Sequence, residues 1–503
     1  MSDPRKLSAA LLLAVAALLA AAAAQAAAQA SIDAVELPSS SSPLVSLRLQ
    51  FDAGSIYDPP GKEGLAALTG LMLAEAGTQK RSYSDLVEAL YPMAAAIDLN
   101  IDREVTLISG TVHRDQLDSY TELLEEALLR PGFAESDFKR NREQLLAELT
   151  DTLRAGSDEL LGLEALQDRI FAGHPYGHPS EGTVESLQRL TLDDVKAFYK
   201  ERFTQGSLML GIAGGYPQGY LDRLKHDLAA LPAGQKGRKP LPPLPKVSGR
   251  NFTLIEKQTA SVGIQFGFPL PINRGDPDYF PLMVANSYLG EHRSFYGRLM
   301  NELRGERGLN YGDYSYIEYW FNPPGTDYPT PNVPRRQQYF SVWIRPLVPA
   351  DAQFALRAGL YEVEKLHDKG MTKEDFEATR ELLINYSKLW AQTLDTRLGF
   401  LMDSKLYGMP SYIDEIEKRL KTTTVEQVNA AARKYLDPAS FEAIVVTNNA
   451  GPFKATLQKD APSPKKYESQ VPPSVLEADK TIQALKVKPT KIDVVAIDQV
   501  FQK

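Results

Sequence analysis

Gly64-Leu65-Ala66-Ala67-Leu68-Thr69-Gly70-Leu71-Met72-Leu73 follows a lead-in, Gly54-Ser55-Ile56-Tyr57-Asp58-Pro59-Pro60-Gly61. Just before it, Leu47, Leu49 and Phe51 alternate with polar residues, which predicts a half-buried strand over 46–52. The Gly/Pro lead-in reads as a turn. The Ala/Leu-rich run reads as a helix over 64–76, and Gly77-Thr78 suits its C-terminal cap.

Outward from this unit the pattern alternates. A second helix starts near Ser82, with Ser82 or Ser84 as its cap. Strands are expected over 97–102 and 105–112. An amphipathic helix over 116–129 stops at Pro131-Gly132, and a long charged helix runs over 135–153. His174-Pro175-Tyr176-Gly177-His178-Pro179 is a loop, since two Pro and a Gly deny the His pair a fixed helical face. Thr191 caps the next helix, with Asp194 reaching back, and a strand follows over 207–213. Much later the same order recurs: Thr424-Val425-Glu426-Gln427, a helix through Leu436, then a strand over 441–447. This is a weak internal repeat, one copy per half.

Between the copies lies Pro232-Ala233-Gly234-Gln235-Lys236-Gly237-Arg238-Lys239-Pro240-Leu241-Pro242-Pro243-Leu244-Pro245, a Pro-rich, basic linker. The second half reads as strands over 251–256 and 260–268 and a helix over 279–289. An aromatic strand over 314–321, a Pro-rich loop over 322–336 and a strand over 339–344 follow, then helices over 350–367 and 373–394. Beyond Gly451 the chain is polar and Pro-bearing. It reads as extended along the surface, with one added strand at Ile492-Asp493-Val494-Val495-Ala496-Ile497.

The chain has 503 residues, 43% of them apolar and 24% charged, so a globular protein of two or more domains is expected. Its net charge is −8, without a long basic run, which argues against nucleic acid. Arg5 and Lys6, the apolar run Leu11 to Ala24, and Ala28-Gln29-Ala30 before Ser31 read as a cleaved secretory signal. There is no Cys, hence no lipid anchor on Cys and no disulfide. A periplasmic address, with no membrane contact after cleavage, is the simplest expectation.

The 54–78 frame and the run Leu303-Arg304-Gly305-Glu306-Arg307-Gly308-Leu309-Asn310-Tyr311 resemble the insulinase/pitrilysin-like peptidases, the inverted zincins. In that family the first helix carries His-x-x-Glu-His: two His bind zinc and the Glu activates water. The matching positions here are Ala67, Gly70 and Leu71. The resemblance makes Glu148 the residual third-ligand position, and one carboxylate alone is a poor zinc site. It also implies that Arg304 and Tyr311, seven positions apart, bind substrate oxygen and stabilise a tetrahedral intermediate across an interface. Taken alone, Arg304 and Arg307 read as cations near a helix C-terminus, and Tyr311 as a core-edge aromatic.

The fold so implied is α+β, in two homologous domains. Each is a mainly antiparallel sheet with helices on one side, as in the processing peptidases. The expected segments are a signal peptide, 1–30; an N-terminal peptidase-like domain, 31–231; a linker, 232–250; a C-terminal peptidase-like domain, 251–450; and a tail, 451–503. The resemblance is to the zinc-less partner of two-chain members. It implies no cofactor in this chain, zinc on a paralogous partner subunit, a peptide substrate, and hydrolysis only within the pair. An inert peptide-binding or scaffold protein is the alternative. A relocated metal site using His113, His174, His178 or Glu148 is a third reading.

Overall fold

Strand β2 (Leu44–Phe51) is where the first sheet and the second half meet. Its Leu47, Leu49 and Phe51 face one core, as their alternation predicts. The polar alternates are not solvated, however: Ser46, Arg48 and Gln50 are all buried. Arg48 forms an ion pair with Asp395 at 2.6 Å, and Gln50 accepts from the Asn332 side chain at 2.9 Å. The strand is covered on both faces, and its polar face meets residues from the other half of the chain.

The computed structural model describes residues 32–294, 296–320 and 328–503. The secretory-signal segment and part of the 322–336 loop lie outside them. The described strands of the first half are β1 (Asp33–Pro38), β2, β3 (Asp98–Ile101), β4 (Thr106–His113) and β5 (Leu208–Gly214). They form a sheet in the order β1-β5-β2-β4-β3, in which only β1 and β5 run parallel. The second half contributes β6 (Arg250–Glu256), β7 (Val262–Leu270), β8 (Gly312–Tyr316), β9 (Gln338–Leu347), β10 (Phe441–Thr447) and β11 (Pro489–Ala496). Their order is β11-β6-β10-β7-β9-β8, with β6 parallel to both β10 and β11.

Without β11, the second order repeats the first strand for strand. β5 sits between a parallel and an antiparallel neighbour, and so does β10. Each is preceded by a helix with the expected capping box, Thr191 with Asp194 and Thr424 with Gln427. The internal repeat of the sequence is thus one topology used twice, and the α+β fold with two homologous sheets stands. The helices also reach across the halves. Asp158–Ile170 lies on β7 and β10 of the second sheet, and Leu394–Leu406 lies on β5 and β1 of the first. A sheet face that a lone domain would leave wet is therefore dry in each half.

Several boundaries differ from the sequence reading. The charged helix ends at Ala147, continues as a π-helical turn, Glu148–Gly156, and restarts at Asp158 with Ser157 as its cap. The helix expected over 373–394 ends at Tyr386, and Thr393 caps a separate one, Leu394–Leu406. The tail is not simply extended. It holds helices Ala450–Lys459 and Pro473–Ala484, besides the added strand β11. Pro473 occupies the first helical turn, where a missing N–H costs nothing. Buried Arg357 ties the tail down, donating to Leu485 O at 2.9 Å and to Asp460 at 2.9 Å.

The Pro-rich linker has no regular structure but is seated against the first half. Arg238 pairs with Asp52 at 2.9 Å, and Leu241 and Leu244 pack on the first core. The described part of the 322–336 loop is a buried plug rather than a surface insertion. Arg335, fully buried, donates to both Asp102 oxygens at 2.8 and 2.5 Å, and Arg336 donates to Glu104 at 2.7 Å.

Candidate functional site

The helix Leu65–Ala74 is buried along its whole length, in keeping with its Ala, Leu, Met, Thr and Gly composition all round. Asp58 satisfies its first turn, accepting from the N–H of Gly64 at 2.8 Å and of Ala66 at 2.7 Å. Gly64 has φ 95°, and a Cβ there would stand 2.5 Å from Glu181 O. The helix start is thus pressed against the loop that carries Glu181.

Ala67 and Leu71, one turn apart, face a cavity of about 290 Å³. Its other walls are Glu75, Leu99 to Arg103 at and after β3, Gln144, Leu145 and Glu148, Glu164, Ser180 and Glu181, and Tyr319 and Val333 from the second half. The cavity lies between the two halves. Gly70 does not line it; a Cβ there would meet Ile101 Cδ1 at 2.9 Å, so this position is packed beneath the edge strand β3. The frame of a zincin site is therefore present, with methyl and isobutyl groups where imidazoles would project.

A zinc ion does not fit these residues. Ala67, Gly70 and Leu71 offer no donor atom, and Glu148 is an exposed carboxylate at the first position of the π-helical turn. Among the described residues no group of three His, Asp or Glu side chains is placed to hold a metal ion. His113 is exposed and accepts from Asp115 N, while buried His174 accepts from Tyr176 N at 3.1 Å. His178 contacts Pro179 O, and none of the three shares the cavity with Glu148. Burial holds the His174 and His178 imidazoles below their usual range.

The cavity is acidic. Glu75, Asp102, Glu148, Glu164 and Glu181 line it, against the single cation Arg103. Arg103 is spent on Glu164 at 2.7 Å and on the Ser180 hydroxyl at 2.6 Å. Asp102 is spent on Arg335. Glu181 is pushed up to about 7, first by burial and then by the neighbouring charge of Glu164, with a smaller push from Glu148. These wall residues come from separate segments. The one local signal was the charged run Asp102-Arg103-Glu104 wedged between two apolar strands.

Arg304 and Tyr311 are brought together elsewhere. The Arg304 guanidinium lies over the Tyr311 ring, 4.8 Å from its centroid, and Tyr311 is 67% exposed. Neither residue lines the cavity. Arg307 is different: it is buried and bridges Glu302 and Asp479, each at 2.8 Å, so it clamps the tail helix to this turn. Asp313, buried next to this pair, has its carboxyl pushed up to about 8 by burial.

Comparison with known proteins matches the same two halves. Residues 34–184 match the insulinase (peptidase family M16) model, and residues 189–383 match the peptidase M16 inactive domain model. This chain belongs to the M16 peptidase family. It is similar to the non-peptidase homolog YmxG of Helicobacter pylori, 22% identical over 84% of this chain and 93% of that one. It is also similar to the mitochondrial-processing peptidase subunit alpha of Solanum tuberosum, 25% identical over 41% of this chain and 40% of that one. The solved peptidase M16 inactive domain from Pseudomonas fluorescens shares the fold, with a TM-score of 0.72 and 24% identity over 82% of this chain and 94% of that one. This M16 chain therefore keeps the family frame and lacks the zinc ligands of its first helix. No helix among the described residues is long and apolar enough to cross a membrane.

Proposed function

We propose that this chain is the non-catalytic subunit of an exported, two-chain zinc metallopeptidase. It builds part of the peptide chamber and supplies Arg304 and Tyr311 to the zinc site of a paralogous partner. The observation that carries this reading is the Arg304–Tyr311 pair, a half-buried guanidinium over an exposed ring, lying outside the chain's own cavity. A guanidinium and a phenol can both donate hydrogen bonds to an oxyanion that forms on a substrate held elsewhere. The apolar replacements at Ala67 and Leu71 support the same division of labour.

Strand β3 is a sheet edge, half-exposed, and contributes Leu99, Asn100 and Ile101 to the cavity. An extended peptide can add to such an edge through main-chain hydrogen bonds. This favours peptide binding in either reading, including that of a scaffold with no zinc-bearing partner. The signal-like 1–30 segment supports export, which fractionation of the source cell would check.

The deciding experiment is co-expression with a paralogue bearing His-x-x-Glu-His. Arg304→Ala or Tyr311→Phe should leave the complex intact and lower its peptidase rate by roughly 100-fold. An unchanged rate in an intact complex would refute the shared site. Failure to capture any zinc-bearing partner would favour the scaffold.

A further inference from the structure

The stretch after β11 does something that the sheet does not require. β11 pairs with β6 on the outer edge of the second sheet, and most of its side chains stay half-exposed or exposed. A short 3-10 turn, Ile497–Gln499, then carries the chain onto the first half. Val500 and Phe501 are buried in the first half's core, at 8% and 6% exposure.

Two elements of the first half receive this segment. Arg154, itself 8% exposed, donates from Nε to Val500 O at 2.6 Å and from Nη2 to the Gln502 side chain at 3.3 Å. The N–H groups of Val184 and Glu185 donate to Phe501 O at 3.1 Å and to Gln502 O at 3.0 Å. Arg154 belongs to the π-helical turn Glu148–Gly156, whose first residue is a cavity wall. Val184 and Glu185 lie three and four residues after Glu181, which with Ser180 is cavity wall as well. One short segment thus backs two separate walls of the same cavity.

We propose that residues 497–503 form a releasable strap that sets the shape of the cavity between the halves. Docked, the strap holds the turn bearing Glu148 and the loop bearing Glu181 in register. Lifted, it frees both. The attachment is small: it rests on backbone carbonyls, one amide side chain, the apolar side chains of Ile497, Val500 and Phe501, and the attraction of Asp498 for Arg154, and it leads from an edge strand. Segments with few contacts open at the low end of a protein's stability range. Phe501 also holds φ 54°, the left-handed region that a non-glycine residue occupies at a cost. The halves themselves do not part when the strap lifts, because the Arg335–Asp102 plug and the two crossing helices are independent of it. The strap concerns the cavity's shape, whichever chain carries zinc.

Amide hydrogen exchange on the full chain tests this, comparing the wild type with Phe501→Ala and with a chain ending at Ile497. A thermal melt establishes that each variant is folded. The expected result is at least tenfold faster exchange in 148–156 and in 180–186, with less than twofold change in 332–336 and in the 394–406 helix. Unchanged exchange at both walls would overturn the proposal. So would equal acceleration throughout the molecule, which would make the segment an ordinary stabilising end. Phe501→Ala keeps the test decisive should the shortened chain fail to fold.

Discussion

Removing either member of the Asp102–Arg335 pair should uncouple the halves. Arg335 is fully buried, and the Asp102 side chain is 5% exposed. The guanidinium makes two bonds to the carboxylate and one to the Gln167 side chain, and its carbon lies 3.4 Å from the Tyr319 ring centroid. Asp102→Ala leaves a buried cation with only the neutral Gln167 and an aromatic face to offset it. Leaving one buried charge uncompensated costs about 3–5 kcal/mol. The Tyr319 ring faces the guanidinium before and after the substitution and so does not change the balance, and a loss of about 3–5 kcal/mol is expected. Arg335→Ala should cost a similar amount, because it orphans Asp102 and removes the packing on Tyr319. The double variant should cost less than the sum by about 2 kcal/mol or more, since neither charge then remains.

Urea unfolding followed by tryptophan fluorescence and by far-UV circular dichroism would measure this. All three tryptophans belong to the second half, Trp320 and Trp343 packed in the core it shares with the first half and Trp390 in its own, so fluorescence follows the second half and its seam while circular dichroism follows both halves. The wild type should unfold in one transition seen alike by both probes. Asp102→Ala should separate the two curves, because the plug that joins the halves has lost its anchor. A loss under about 1 kcal/mol in both single variants, or strict additivity in the double, would refute the argument that this pair fastens the halves.

Two further outcomes follow from the cavity. Glu181 binds its proton more tightly in the folded chain than in the unfolded one, since its folded value is about 7 against an ordinary 4.5. Between pH 4.5 and 7 the folded state therefore holds more protons, and stability falls as pH rises through that window. Glu181→Gln should remove that part of the slope, on the order of 1 kcal/mol after allowing for partial solvent screening; an unaltered pH profile of the melting temperature would count against it. Ala67→His with Leu71→His would place two imidazoles one turn apart, facing Glu148. That variant should bind one zinc ion, read by metal analysis after dialysis, while hydrolysing no peptide, because Gly70 supplies no base. Absence of stoichiometric zinc would mean that the helix and the π-helical turn are not in zincin register.

Much of the frame is legible in the chain because it is written in local periodicity. The β2 alternation, the capping boxes at Thr191 and Thr424, and the strands that follow them are all local facts, and together they carry the repeated topology. What escapes a sequence reading depends on distant partners. Ser46, Arg48 and Gln50 look solvated because Arg48's partner, Asp395, lies 347 residues later. Pro472-Pro473 looks like a break because the sequence around it is polar, although proline also suits the first turn of a helix. Only the packing of that segment against Arg357 and Arg307 makes the start worthwhile.

The candidate site divides along the same line. The lack of ligands on the first helix is a matter of residue type: the side chains of Ala67, Gly70 and Leu71 carry no donor atom, which is read from the sequence directly. The character of the remaining space is a matter of convergence. Glu164 and Glu181 approach from a helix and a loop of the first half, Tyr319 and Val333 from the second, and no spacing rule links them. The Arg304–Tyr311 spacing is legible, yet the direction in which the pair projects is not. That direction is what separates a subunit serving its own site from one serving another's. The pair lies off its own cavity, with Tyr311 open to solvent. Under the proposed function it serves a site on a second molecule, so the kinetic effect of Arg304→Ala is to be sought in a complex.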